Sequence, residues 1–192
     1  MIKNVVFDVG GVLLEWDPPK LLETLNLPSH FLEVFESLLW GAHDGGILSR
    51  QEFIEKLPSH LDKGIFAYCV ARLAKQLQPI PEMIELFHEL RRKGYGVFIL
   101  SNMSQEMHEE LSLLHGFFDK PEGAIFSYQV KAVKPQPQIY EALFQKYKLY
   151  PEESLFIDDR LDNVMAAERL KMKAVHCKSC LLARQEVESL LL

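Results

Sequence analysis

The apolar positions of this chain change period partway along it. Val5-Val6-Phe7 is a short continuous apolar run closed by Asp8 and broken at Gly10-Gly11, which predicts a buried strand ending in a glycine turn. Residues 16–79 carry helical spacing only. Phe31, Val34, Phe35 and Leu38 form one stripe behind Pro28-Ser29, with Ser29 as cap. Ser49-Arg50-Gln51-Glu52 has the form of a capping box ahead of Phe53, Ile54 and Leu57. Phe66, Cys69, Val70 and Leu73 form a third stripe. Between them, Gly41-Ala42-His43-Asp44-Gly45-Gly46 reads as a flexible polar loop.

From Pro81 the pattern alternates. A helix with Met83, Leu86, Phe87 and Leu90 inward stops at Gly94 and leads to a strand, Gly96 to Leu100, ending at Ser101-Asn102. A helix from about Ser104 carries Met107, Leu111 and Leu114. Ala124-Ile125-Phe126 is a short strand. Lys134-Pro135 opens a helix with Ile139, Tyr140, Leu143, Phe144 and Tyr147 inward. Ser154 to Ile157 is a strand ending at Asp158-Asp159. Val164, Ala167 and Leu170 line the next helix, Lys173 to Val175 is the last strand, and Leu181 to Leu191 a terminal helix.

Five apolar strands separated by helices predict an α/β fold, a Rossmann-like parallel sheet with helices on both faces. Right-handed crossovers put every strand's carboxyl end on one edge. Asp8, Ser101 and Asp158-Asp159 all emerge there. The all-helical block between the first strand and Pro81 reads as an insertion.

Composition narrows the partners. The 192 residues are 48% hydrophobic, with 21 Lys plus Arg against 27 Asp plus Glu, a formal charge of −6. A net negative surface repels nucleic acid but leaves room for a small phosphorylated ligand in a local positive pocket. No apolar run is long enough to cross a bilayer, and only four residues precede the first strand, so no membrane association and a cytoplasmic location are expected. Three cysteines suit a reducing compartment. Cys177 and Cys180, beside His176, lack the second pair that a tetrahedral zinc site needs, and read as ordinary thiols.

Gathering Asp8, Asp158 and Asp159 into one crevice is costly: two carboxylates about 4 Å apart repel by about 4 kcal/mol at an effective dielectric of 20. A hard divalent cation relieves that cost, and Mg²⁺ characteristically binds through one or two carboxylates plus substrate phosphate. Lys134 and the Ser101 hydroxyl supply complementary groups for a phosphate ester, and Asp8 is a candidate nucleophile. Each residue also has a plain reading: Ser101 and Asn102 as a helix cap, Lys134 as a surface lysine, Asp158-Asp159 as a cap favoured by the helix dipole. At successive strand ends those plain readings would all have to coincide.

The segments FDVGGVLL, FILSN, VKAVKP and LFIDDRLDN resemble, in order, the four motifs of the haloacid dehalogenase superfamily. The longer wording is similar to the subgroup that holds the epoxide-hydrolase N-terminal phosphatase and sugar-phosphate phosphatases. The resemblance implies strand order 5-4-1-2-3, a core of residues 1–15 and 80–192, and a helical cap over 16–79. It implies that Asp8 attacks phosphorus to give an aspartyl-phosphate. Ser101 and Lys134 would hold the phosphoryl group, with Asn102, Asn163 and Gly11 in support. Asp8, the Gly10 carbonyl and Asp159 would ligate Mg²⁺, and Asp158 would ligate it or hold its water. Cap specificity would fall to Trp16, Trp40, His43 and Asp44.

One position departs from the resemblance. Phosphatases of this superfamily carry a second aspartate two residues after the nucleophile; here that residue is Gly10. Three functions follow as expectations. The first is a Mg²⁺-dependent phosphatase of a small phosphorylated metabolite, such as a sugar phosphate, with a water, His43 or Asp44 replacing the missing acid. In that reading His43 is preferred as a solvated loop residue. The second is a phosphoryl-binding or interaction protein with little turnover. The third, a metal-independent haloacid dehalogenase, is disfavoured by the paired acids at 158 and 159. Oligomeric state is not legible.

Overall fold

The computed structural model describes residues 1–191 of the 192. Its centre is a five-stranded, wholly parallel sheet: β1 (Asn4–Phe7), β2 (Gly96–Ser101), β3 (Gly123–Phe126), β4 (Ser154–Asp158) and β5 (Lys173–His176), in spatial order β3-β2-β1-β4-β5. This is the expected order read from the other edge. The first strand in sequence lies at the centre, so the chain reverses direction across the sheet at β1, where an open α/β sheet leaves a crevice.

Side-chain alternation divides the core in two. Val5 and Phe7 face one side with Val97, Ile99, Leu155 and Ile157. Val6 faces the other with Phe98, Leu100 and Phe156. Both faces are covered, which explains why the strands read as unbroken apolar runs.

The first face meets α1 (Pro18–Thr24), α2 (Leu32–Phe35), α3 (Leu38–Asp44), α4 (Arg50–Glu55) and α5 (Lys63–Leu73), together with α6 (Pro81–Arg92) and α7 (Gln105–Leu114). A short helix, α8 (Ser127–Val130), follows β3. The second face is covered by α9 (Pro137–Tyr147) and α10 (Leu161–Arg169), and α11 (Cys180–Leu191) closes the chain back on the first. Among the described residues no helix is long and apolar enough to cross a membrane.

Residues 16–79 leave and re-enter the sheet region through paired backbone. Glu15 N donates to Gln78 O at 2.8 Å and Ile80 N to Leu13 O at 2.9 Å. The core of this segment is aromatic: the rings of Phe31, Phe35 and Phe53 stand 5.3, 6.0 and 5.8 Å from that of Phe66, centre to centre. The expected stripes at Phe66, Cys69, Val70 and Leu73 are buried, and the Ser49–Glu52 capping box forms in full.

Several local expectations are corrected. Residues 41–44 are not loop: they belong to α3, because the Ser37 hydroxyl accepts from Trp40 N and caps a turn that Gly45 ends. Ser29 caps nothing; it sits in a 3-10 turn, and the chain breaks after Phe35, which throws Leu38 outward to 94% exposure. Leu114 also lies outside its stripe, 48% exposed at the end of α7. The four residues of α8, which no apolar period announces, were not anticipated.

Candidate active site

The sheet register builds the floor of the site. Phe7 pairs with Ile157, so the next residue on each strand is a carboxylate, Asp8 on β1 and Asp158 on β4. The Asp8 amide donates to Ile157 O at 2.9 Å, and its Oδ1 accepts from Val9 N at 2.7 Å. Lys134 reaches in from the loop before α9 with a side chain only 1% exposed. Its Nζ lies 2.8 Å from Asp8 Oδ2 and 2.6 Å from Asp158 Oδ2. Asn102, just past β2, clamps the Lys134 backbone from both sides: Oδ1 accepts from Lys134 N at 2.7 Å, and Nδ2 donates to Lys134 O at 3.0 Å. Ser101, the last residue of β2, is buried and lines the same cavity.

The two adjacent acids differ. Asp158 is fully enclosed, and its Oδ1 accepts from Arg160 N and Asn163 Nδ2, each at 2.9 Å, while Oδ2 holds Lys134. It caps no helix end. Asp159 keeps its carboxylate toward the cavity, and its backbone carbonyl accepts from His176 Nε2 at 2.9 Å, assigning that nitrogen the proton.

Charge on the floor does not balance. Asp8, Asp158 and Asp159 each offer an oxygen within 4.8 Å of the others, against one buried ammonium. Burial pushes the Asp8 carboxyl up to about 8 despite Lys134, and Asp158 and Asp159 add to the rise. Burial and Asp158 likewise raise Asp159. Burial pulls Lys134 down, but Asp158 and Asp8 more than offset that and hold it above its usual value. The donor set fits a hard divalent cation: all oxygen, with charge left over. Asn163 adds to the fit. It is 1% exposed, and its Oδ1 has no partner, so a buried acceptor stands beside Asp158 ready for a water held by such an ion.

Gly10 and Gly11 are adjacent for different reasons. Gly11 has φ +71°, and a Cβ there would stand 2.6 Å from Asp159 Cγ. The backbone needs glycine at that point for the turn and for the close approach of Asp159. Gly10 has no such constraint. A Cβ there would meet Trp16 Cβ at 3.4 Å, an ordinary contact.

Above the floor is a cavity of about 590 Å³, and all four cap residues named from sequence line it: Trp16, Trp40, His43 and Asp44. His43 overturns its preferred reading. It is 3% exposed, stacks on Phe53 at 4.8 Å with rings 2° apart, and approaches Leu48 O with Nδ1 at 3.2 Å. Helix α3 carries it inward, whereas a loop would have left it in solvent. Burial holds it below the usual histidine range, so the ring is neutral, with the proton on Nδ1 for Leu48. Asp44 ends α3. Desolvation pushes its carboxyl up to about 7, against the hydrogen bonds it accepts from the Trp40 side chain and the Ser104 amide. The backbone carbonyl of Asp44 accepts from Ser127 Oγ at 2.6 Å, tying α3 to α8.

Sequence reasoning missed part of the lining. Val70, Met103, Met107 and Leu111 face the cavity. Their helical spacing is that of ordinary core, and no local signal separates a residue facing a void from one facing a neighbour. The backbone clamp by Asn102 was also missed in kind, although the residue was singled out. Cys177 and Cys180 are free thiols with sulfurs 3.7 Å apart, behind β5.

The fold and this geometry have counterparts among known proteins. The chain is 26% identical over 192 residues to a sesquiterpene phosphatase of Aspergillus oryzae, covering 98% of this chain and 96% of that one. It is 26% identical over 210 residues to a D-ribitol-5-phosphate phosphatase of Bacteroides thetaiotaomicron, covering 100% and 99%. A haloacid dehalogenase-family enzyme of B. thetaiotaomicron, solved with magnesium and inorganic phosphate, superposes with a TM-score of 0.72 at 24% identity, over 92% of this chain and 94% of that one. That last likeness concerns the fold. Residues 2–171 match the haloacid dehalogenase-like hydrolase family, and the chain is therefore a member of it.

Proposed function

We propose that the protein is a Mg²⁺-dependent phosphatase of small phosphorylated metabolites, working in the cytoplasm. The observation that carries this is the buried Asp8–Lys134–Asp158 triad with Asp159 open beside it. The curated relatives named as phosphatases support the same reaction class.

Asp8, Asp159 and the Gly10 carbonyl would hold the ion, and Asp158 would act on its water. When bound, the cation supplies the positive charge that keeps Asp8 ionised and draws the phosphoryl oxygens down. Asp8 then attacks phosphorus, the ester P–O bond breaks, and the departing alkoxide takes a proton. Water then attacks the phosphorus of the aspartyl-phosphate, the Asp8 Oδ–P bond breaks, and inorganic phosphate leaves with Asp8 restored as a carboxylate. Lys134 and Ser101 neutralise and hydrogen-bond the phosphoryl oxygens as charge moves onto them. Asn102 positions Lys134, Asn163 positions Asp158, and Gly11 admits Asp159. Residues 16–79 serve as the cap that closes the cavity from water.

Of the residues that line the cavity above the floor, Asp44 is the one we assign as proton donor in place of the missing acid at position 10. Burial pushes its carboxyl up to about 7, which suits general acid catalysis near neutral pH. His43 does not serve: its proton is spent on Leu48 and its ring is neutral.

The test is p-nitrophenyl phosphate turnover with and without Mg²⁺. Asp8→Asn should lower it by about 10⁴-fold or more, to background. Turnover that survives Asp8→Asn or needs no metal refutes the reading. The glycine at position 10, where the family's phosphatases carry an acid, motivates one rival, a phosphoryl-binding protein with little turnover. Wild type inert toward all esters, with activity gained in Gly10→Asp, would establish that rival.

A further inference from the structure

The proposed reaction occupies only the floor of the cavity. The remaining space is large enough to enclose most of a drug-sized molecule, and one continuous stretch of its wall is apolar. Trp16, Phe35 and Trp40 face it from the insertion. Val70, Met107 and Leu111 line a part that is enclosed, each being under 10% exposed. At the open end stand Leu38 and Ile47, 94% and 67% exposed. Apolar surface therefore runs from the interior to solvent.

Several polar groups along the walls are already committed. Ser37 Oγ donates to Val34 O and accepts from Trp40 N. Ser104 Oγ caps α7 by accepting from Met107 N, and both ends of the Asn102 amide hold the Lys134 backbone. Two of the lining cations are paired with carboxylates, Arg50 with Glu110 at 3.1 Å and Arg160 with Asp162 at 3.0 Å; Lys131 donates to the Gly46 carbonyl, and Arg50 Nε has no partner. A polyol laid along Trp16, Phe35 and Trp40 would leave its hydroxyls short of partners, a cost on the order of 1–3 kcal/mol for each one buried.

We infer that the site selects phosphate monoesters of apolar alcohols, with the phosphate on the floor and a hydrocarbon chain or ring system along Trp16, Phe35 and Trp40. The phosphatase reading supplies the chemistry for this, but the preference itself is one of binding. Each methylene that enters the walls should strengthen recognition about fourfold until the space is full.

The test is a series of n-alkyl monophosphates of increasing length, kept below micelle-forming concentrations, beside polyol phosphates of matched length. Two readouts are taken: kcat/KM of wild type with Mg²⁺, and equilibrium binding to Mg²⁺-loaded Asp8→Asn by tryptophan fluorescence. Both tryptophans of the chain line the cavity, so the second readout reports on it directly. The expected result is a rise of about fourfold per methylene in both, with polyol phosphates at least about tenfold weaker. Turnover of short esters with a flat or falling profile overturns the inference and leaves the phosphatase intact. A binding gradient without turnover upholds the inference and removes the phosphatase.

Discussion

Asp8 and Asp158 are held in place by strand register, whereas Trp40 and His43 are held by packing among short helices. The two sets face one cavity but answer to different forces. On the floor Asp8, Asp158 and the Lys134 backbone are held by named partners at hydrogen-bond distance, fixed by the sheet, Asn163 and Asn102. On the wall, position comes from aromatic contacts such as His43 on Phe53 and Trp16 on Trp40, and from caps at Ser37 and Ser49. The floor is therefore intolerant of chemical change. The wall is intolerant of lost volume but open to change of shape, which is where members of one fold family are free to differ in substrate.

The largest effect that separates the two should come from Phe53→Ala. Phe53 is fully buried at the centre of the insertion's aromatic cluster and touches none of the floor carboxylates. The cavity left behind should cost about 3–5 kcal/mol in chemical denaturation. If floor and wall are separately built, folded Phe53→Ala still binds Mg²⁺ with wild-type affinity. A loss of metal binding in parallel with stability would merge the two regions into one.

Asp44 is the wall residue assigned a chemical task, and the next largest effect tests whether it crosses that line. Asp44→Asn should slow hydrolysis of alkyl phosphates by about 10²-fold, because an alkoxide must be protonated as it leaves. With p-nitrophenyl phosphate, whose leaving group needs no proton, the loss should stay within a few-fold. Equal losses on the two substrates would return Asp44 to a purely structural role beneath Trp40 and Ser104.

The floor was legible because strand ends speak in order: an apolar run, then an acid or a hydroxyl, at Asp8, Ser101 and Asp158. Parallel pairing then leaves few places for them to go. The wall was legible only as stripes. Phe66, Cys69, Val70 and Leu73 were placed correctly, yet Val70 faces a cavity and its spacing says nothing of that. The error at His43 has a specific cause. Three glycines and a polar pair look like a loop, but the Ser37 hydroxyl, four residues before Gly41, caps a helix that runs through His43. The glycine pair beside Asp8 shows the same limit, since nothing in the letters separates one constrained glycine from one that is not.

That pair yields the third prediction. Gly11→Ala places a Cβ at φ +71° and against Asp159, and should cost about 1–2 kcal/mol in backbone strain alone. It should also weaken Mg²⁺ binding, because Asp159 has to move. Gly10→Ala, one residue away, should change stability by less than about 0.5 kcal/mol. Equal costs at the two positions would show that the turn, and not the approach of Asp159, sets the requirement.

The smallest effect concerns His43 as a wall residue, and its sign follows from burial. Burial holds His43 below the ordinary histidine value of 6.5, so the folded chain resists the proton that the unfolded chain accepts. Its contribution to stability is fully present above 6.5 and is lost as pH falls through 6.5 toward the folded value. Wild type should therefore lose thermal stability between pH 7 and pH 5. His88, His108 and His115, also lowered by burial, share that loss. In His43→Leu the slope of Tm against pH over this window should be shallower than in wild type, whatever the absolute Tm. Parallel slopes would mean that the ring is solvated after all, and that the wall is looser around Phe53 than its 2° stacking implies.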